Sequence, residues 1–356
     1  MVQDAVMGEQ MPAAVYVGDG VLEVRAIDVP EPAPDDVLIE VSHCGVCGTD
    51  LHLVLEHIAR PGSVLGHEWA GTIVALGEDV TGWSVGDRVV RGPEPGCGEC
   101  RACRRGRPSV CLRRPPVDHL GGRGAYTRYV LAEASRLLRL PDGLSTRVAA
   151  LTEPVAIALH AVTLSGVTPA DRVLITGAGP VGMLVLAVLH AQGVHDVVVS
   201  EPSASRRVRA LEVGAAAVVV PDDLEPAPMG VPVAEPFSVV FECSGKATAC
   251  ERALDQVDFA GTFVFVGTGH DQPRVNHNRV IILELTLIGA YNYDAAGWGP
   301  ALDLLASGAL PVEQLIHPDD VPLDGLGAAM VRLAAGDIPA KVLVRPEVSA
   351  SSEGSR

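Results

Sequence analysis

A surplus of positive charge is the first thing this 356-residue chain lacks: 27 basic residues stand against 44 acidic ones, giving a net charge of -17 and a pI of about 5.0. A surface of that sign repels phosphate backbones and anionic lipid headgroups, which sets aside nucleic acid and membrane as partners. Arg104, Arg105, Arg107, Arg113 and Arg114 are a local exception and read as a solvated rim. No unbroken apolar run reaches spanning length, and the opening MVQDAVMGEQMP carries acids where a secretion signal would be apolar, so a cytoplasmic protein is expected. Internal repeats are missing too. The chain as a whole is 48% hydrophobic and long enough for two domains, but its segment 92–116 is poor in the large apolar residues a core needs.

What that segment has instead is cysteine. Cys97, Cys100, Cys103 and Cys111 follow the spacing C-x2-C-x2-C-x7-C and bring half of the chain's eight cysteines into 15 residues. Such crowding of thiols suits tetrahedral zinc, and a reducing compartment disfavours the disulfide alternative. Four thiolates close the coordination sphere, so this zinc is expected to be structural, its bonds supplying the folding energy that the missing apolar residues cannot.

The pattern along the chain changes once. From Ala13 to Val130 short strands such as Val37–Val41 and Thr72–Val74 are punctuated by Gly, Pro and Asp. From Asp171 onward strands and helices alternate: RVLIT, the helix VGMLVLAVLHAQ, DVVVSE, a helix near Ser205–Val213, AAVVV, SVVFEC and GTFVFVG. Continuous Val, Leu, Ile and Phe runs belong to strands covered on both faces, so an α/β class with a doubly wound parallel sheet is expected. Pro221–Pro236 reads as a surface loop. After Gly289 come helices over Trp298–Ser307 and Leu323–Ala335, a strand near Lys341–Val344, and a tail at 347–356 expected to be disordered.

Gly177-Ala178-Gly179-Pro180-Val181-Gly182 follows the strand RVLIT and opens an apolar helix, the context in which G-x-G-x-x-G binds a dinucleotide. The glycines let backbone amides approach a pyrophosphate at a helix N-terminus. Nineteen residues beyond Gly182, Glu201 ends the next strand, where a carboxylate accepts hydrogen bonds from ribose hydroxyls and repels a 2′-phosphate. NAD is therefore expected in preference to NADP, with Arg206 and Arg207 close enough to keep NADP open.

Upstream lie Cys44-Gly-Val-Cys47-Gly-Thr49-Asp50-Leu-His52 and Gly66-His67-Glu68. With the quartet and the nucleotide fingerprint, in this order, they resemble the zinc-dependent medium-chain alcohol and polyol dehydrogenases over nearly the whole chain. That resemblance implies a GroES-like catalytic domain at 1–155, carrying the zinc lobe at 92–116 and completed by 289–346, around a Rossmann domain at 156–288. It implies a catalytic zinc on Cys47 and His67, with Glu68 or Glu153 as third ligand, directly or through water. Glu153, in Leu-Thr-Glu-Pro, stands where alcohol dehydrogenases proper carry a second Cys and points to the sorbitol, threonine and butanediol branch. Asp50 is expected to orient His67.

The resemblance further implies that zinc acts as a Lewis acid on the alcohol, that hydride passes to the nicotinamide, and that Thr49 and His52 conduct the proton away. Lys341 is expected on the cofactor pyrophosphate. Trp69, the loop 119–123 and Tyr291–Trp298 are candidates for the pocket wall, and secondary alcohols, diols or polyols for the substrate. Cys44, Cys243 and Cys250 read as core residues. A homodimer or homotetramer is expected. The competing readings are a zinc-free reductase of the same superfamily and a non-catalytic NADH-binding sensor; the pair Cys47 and His67 argues against the first, and the intact motifs against the second.

Overall fold

The computed structural model describes residues 8–93, 96–113, 124–228 and 230–349. It divides into two units, Met1–Glu153 with Asp294–Ser307 and Ile316–Arg356, and Pro154–Tyr293 with Gly308–Leu315. Numbered along the chain, the first unit holds β1 (Gln10–Gly18), β2 (Val21–Asp28), β3 (Asp36–Gly45), β4 (Glu68–Leu76), β5 (Arg88–Arg91), β6 (Tyr129–Glu133) and β7 (Leu137–Arg139). The second holds β8 (Val173–Thr176), β9 (Val197–Ser200), β10 (Ala217–Val219), β11 (Phe237–Glu242), β12 (Val257–Phe265) and β13 (Thr286–Gly289). The chain then returns to the first unit with β14 (Val321–Pro322) and β15 (Leu343–Arg345).

In the first unit β1 and β2 form a hairpin, and a larger sheet runs β14-β15-β3-β4-β5-β7 with β6 also paired to β3. Strand β3 is the spine of this sheet because its β-branched and aliphatic residues leave water on both faces: Val37, Leu38 and Ile39 are fully buried. Burying each such side chain contributes roughly 1.5–3 kcal/mol. Two registers shape one end of the sheet. Antiparallel pairing of β3 with β4 sets Gly45 opposite Glu68, and pairing of β15 with β3 sets Leu343 opposite Gly45. Three distant segments thus end side by side.

The second unit is a six-stranded parallel sheet in the order β10-β9-β8-β11-β12-β13. From β8 the chain winds outward through β9 and β10, then crosses back to β11 and winds the other way, so the order reverses between β8 and β11. Such a reversal opens a crevice at the carboxyl ends of the strands. The central strands are covered on both faces: all four residues of β8 and of β9 are buried. Helix Pro180–Ala191 starts with proline at a position where its missing N–H costs nothing, and its residues from Gly182 to Leu189 are buried.

One expectation changes. The tail placed at 347–356 is anchored at its start, since Leu323 donates to the Glu347 carbonyl at 2.9 Å and the backbone N–H of Ser349 to Asp324 at 3.2 Å. Residues 350–356 lie outside the described residues. The loop Pro221–Pro236 begins with a short 3-10 turn at Pro221–Asp223. Among the described residues no helix is long and apolar enough to cross a membrane.

Candidate active site and cofactor cleft

The candidate site of the first unit grows from the ends of β3, β4 and β15. Beyond β3 the chain turns into the helix Gly48–Leu55, whose N-cap is Cys47; the N–H of Cys47 donates to Asp50 Oδ2 at 3.0 Å, which fixes the first turn. Asp50 is 1% exposed, and its Oδ2 also accepts the Tyr126 hydroxyl at 2.7 Å, while its Oδ1 lies 3.7 Å from His67 Nδ1. Asp50 therefore lies beside His67 at ion-pair distance. His67 and Glu68 lead into β4, and donor atoms of Cys47, His67 and Glu68 all lie within 4.8 Å of one another. A Cβ built on Gly45 would overlap the Glu68 carboxylate, so only glycine opposite Glu68 lets that side chain turn inward.

Charge decides what this cluster can hold. Burial works against a charged His67, yet Asp50, Cys47 and Glu153 around it carry its pKa well above the usual histidine value. Glu153 opens the helix Thr152–Ser165. Loss of solvation pushes its carboxyl up to about 7, with Glu68 adding to the effect and His67, Lys341 and Arg91 opposing it. Acidic groups crowd one imidazole and raise its affinity for a proton, so the set favours added positive charge. One thiolate, one imidazole and one carboxylate are also the donor types of a zinc site that keeps a position open. The residues present fit a zinc ion.

Lys341 departs from expectation. Its ammonium donates to Glu68 Oε1 at 2.7 Å, to Glu68 Oε2 at 2.8 Å and to the Val46 carbonyl at 3.0 Å, and the residue is 2% exposed. It does not stand free to pair with a pyrophosphate, because the β15–β3 register carries it to Glu68 instead. Burial opposes its charge, but Glu68, Cys47 and Glu153 hold its pKa above the ordinary lysine value. No spacing in the sequence links positions 68 and 341; the only signal is a lone lysine before an apolar strand. Thr49 is exposed in the first turn of its helix, and His52 bonds Glu56 at 2.6 Å one turn on. Trp69 packs in the hydrophobic core and Trp298 is 1% exposed, so neither is an open pocket wall; the 119–123 loop lies outside the described residues.

The quartet converges as its spacing implies. Sulfur atoms of Cys97, Cys100, Cys103 and Cys111 lie within 4.8 Å of one another, and all eight cysteines are free thiols. Backbone N–H groups of Cys100 and Cys103 point at the sulfurs of Cys97 and Cys100, at 3.3 and 3.5 Å. Such amides favour thiolate: those of Cys103 and Leu112 pull Cys100 down to about 6. The lobe is tied down at Asp294, which lies 3.7 Å from Arg107 Nε and accepts from the Ser109 N–H at 3.4 Å. Arg113 pairs with Glu99, and Arg114 lies outside the described residues.

In the second unit a cavity of about 740 Å³ opens where the strand order reverses, lined among others by Gly177, Gly179, Glu201, Arg206, Lys246 and Arg252. Gly179 caps the helix that Pro180 and Val181 begin. Gly182 faces the other way, because a Cβ there would overlap the Gly177 carbonyl; its role is close packing of helix on loop. Glu201 is buried, with Oε2 accepting from the Ala178 N–H at 2.8 Å and Oε1 from the Ser203 N–H at 2.9 Å. Each carboxylate oxygen keeps a second lone pair for a ligand. Arg207 turns back to the carbonyls of Glu201 and Pro202 at 2.8 and 2.7 Å, leaving Arg206 at the cavity. Cys243, read as core, sits half-buried in the cavity wall because it follows the last residue of β11. Cys44 and Cys250 are buried in hydrophobic cores.

Residues 33–142 match the alcohol dehydrogenase GroES-like domain, and residues 180–307 the zinc-binding dehydrogenase domain. L-threonine 3-dehydrogenase from Pyrococcus horikoshii is 35% identical over 87% of this chain and 91% of its own length. This chain belongs to the zinc-dependent medium-chain alcohol and polyol dehydrogenases. A sorbitol dehydrogenase from Halalkalibacterium halodurans is 33% identical over 83% of this chain and 88% of that protein. In structure, a zinc-binding dehydrogenase from Sinorhizobium meliloti 1021 with NADP bound matches at a TM-score of 0.84 and 31% identity, covering 95% of this chain and 100% of that one. Lys246 and Arg252 on the cavity wall belong to no motif whose spacing would have picked them out of the sequence.

Proposed function

We propose that this dehydrogenase interconverts a secondary alcohol, vicinal diol or polyol and its carbonyl partner, with NAD as acceptor and one zinc at each of its two cysteine sites. The observation that carries the reading is the convergence of Cys47, His67 and Glu68, with Glu153 in their electrostatic field. In this reading those three residues hold the reactive zinc, and Cys97, Cys100, Cys103 and Cys111 the structural one. Zinc held there would supply a Lewis acid that lowers the pKa of a hydroxyl, and a bound NAD would supply the hydride acceptor.

The chain's own residues do the rest. Asp50 holds His67 in one orientation, and Tyr126 holds Asp50. Glu153 stands in the field of these groups as a further carboxylate that loss of solvation pushes above the usual range. Thr49 relays the substrate proton, giving up its own hydroxyl proton as it accepts, and His52, half-exposed and braced by Glu56, passes a proton to solvent. Glu201 binds the ribose hydroxyls and disfavours a 2′-phosphate, while Gly177 and Gly179 admit the pyrophosphate. The first unit is the catalytic domain and the second the cofactor domain of a cytoplasmic homo-oligomer. The edge strand β13, which carries exposed Leu287 and is preceded by exposed Ile281 and Ile282, supports self-association through that edge.

The test is NADH formation by zinc-loaded protein on a panel of primary alcohols, secondary alcohols, vicinal diols and sugar alcohols, with NADP in parallel. A rate on secondary alcohols, diols or polyols above that on primary alcohols is expected. Silence across the panel from protein that still binds NADH would overturn the reading.

A further inference from the structure

Lys341 is one of two lysines in the chain, and its environment is unlike that of a surface cation. An ammonium carries three protons, and all three are spent inside the first unit, two on Glu68 and one on the Val46 carbonyl. Its backbone is equally fixed. The Val46 N–H donates to the Val342 carbonyl at 3.0 Å, and the His317 N–H to the carbonyl of Lys341 itself at 2.8 Å. Two buried charges are costly to desolvate, so a pair of this kind is poor evidence for stability alone and calls for another explanation. Glu68 supplies one: it is a member of the Cys47, His67 and Glu68 cluster, and a carboxylate that binds a metal is itself oriented by outer partners.

We propose that Lys341 is a positioning residue of the reactive metal: by grasping both oxygens of Glu68 it fixes the angle at which that carboxylate meets the ion and limits the charge it donates. The inference rests on the reading that Cys47, His67 and Glu68 hold that ion. Lys341 touches neither cofactor nor substrate in this role.

The experiment is release of metal from the full chain loaded with zinc, or with cobalt(II) as a visible probe, into a chelator. Lys341→Met should release the reactive-site metal about 10- to 100-fold faster while the quartet keeps its own, and should shift the cobalt absorption bands of the reactive site. Wild-type release with unchanged bands would overturn the proposal. Should Lys341→Met fail to fold with Glu68 left buried and alone, the neutral pair Glu68→Gln/Lys341→Met is compared with Glu68→Gln. Equal release rates support action through Glu68, and a further tenfold loss in the double variant overturns it. Cys47→Ser separates the two layers. If that variant keeps both metals, the site assignment falls and the proposal with it; if it loses one while Lys341→Met behaves as wild type, only the role of Lys341 falls.

Discussion

The two cysteine sites of this chain solve the same problem in opposite ways. In the lobe, four like donors come from one loop of 15 residues, rest against backbone amides and are tethered at Asp294. Around Cys47, unlike donors come from positions 47, 67 and 68, and two of them lie against other side chains: Asp50, itself bonded by Tyr126, stands 3.7 Å from His67, and Lys341 grasps Glu68. A closed sphere of thiolates can be local because it must only be stable. A site that keeps a position open for substrate needs its geometry imposed from outside, and only the folded sheet can impose it.

The sharpest way to break the contrast is to remove one sulfur from each site. Cys47→Ser should lower turnover by roughly a thousandfold or more, since metal activation is worth several kcal/mol at about 1.36 kcal/mol per factor of ten. Metal analysis should show one ion lost and the quartet occupied. Turnover within a few fold of wild type would remove Cys47 from the reaction.

Cys100→Ser should act on stability instead. Loss of a bound metal belongs to the large tail of single-substitution effects, about 4 kcal/mol or more, read as a lowered melting temperature and faster proteolysis of the lobe. Protein of unchanged stability with no activity would erase the distinction between the two sites.

The same contrast explains what can be read before folding. The lobe is legible because its information is local, and so are the strands from β8 to β12, whose unbroken apolar runs announce a covered sheet. Cys47, His67 and Glu68 are legible as motifs. Their support is not: Lys341 reaches Glu68 through the pairing of β15 with β3 across nearly 300 positions, a consequence of register that no window of sequence contains. Cys243 escapes the sequence for a related reason, since one residue separates the buried end of β11 from the cavity wall.

In the cavity of the second unit, one acid carries the next test. Glu201→Ala removes a charged acceptor from the proposed ribose site, and a hydrogen bond to a charged group is worth about 1.5–3 kcal/mol, so efficiency with NAD should fall roughly 10- to 100-fold. Efficiency with NADP should change far less, because the loss of repulsion offsets the lost contact. A parallel fall for both cofactors would mean that Glu201 serves the loop, through Ala178 and Ser203, rather than the ligand.

The smallest effect expected separates the two units by pH. His190 closes the helix Pro180–Ala191, its Nε2 is buried without a hydrogen-bond partner, and His195 stands edge-on at 5.0 Å. Burial and the neighbouring His195 lower its pKa below the ordinary 6.5. A group depressed in the folded state favours folding above its unfolded pKa, and that contribution fades as pH falls through the folded value, because the unfolded chain takes the proton first. Wild-type protein should therefore lose melting temperature from about pH 6.5 downward more steeply than His190→Gln, which has no proton to take up. In the first unit acid acts differently: protons compete with a bound metal for the imidazole of His67, a proposed ligand, so its response to pH follows metal loss. Parallel melting curves for the two proteins between pH 7 and pH 5 would show that His190 stays neutral at no cost to the fold, and the acid sensitivity of the chain would then have to lie with its metal ligands.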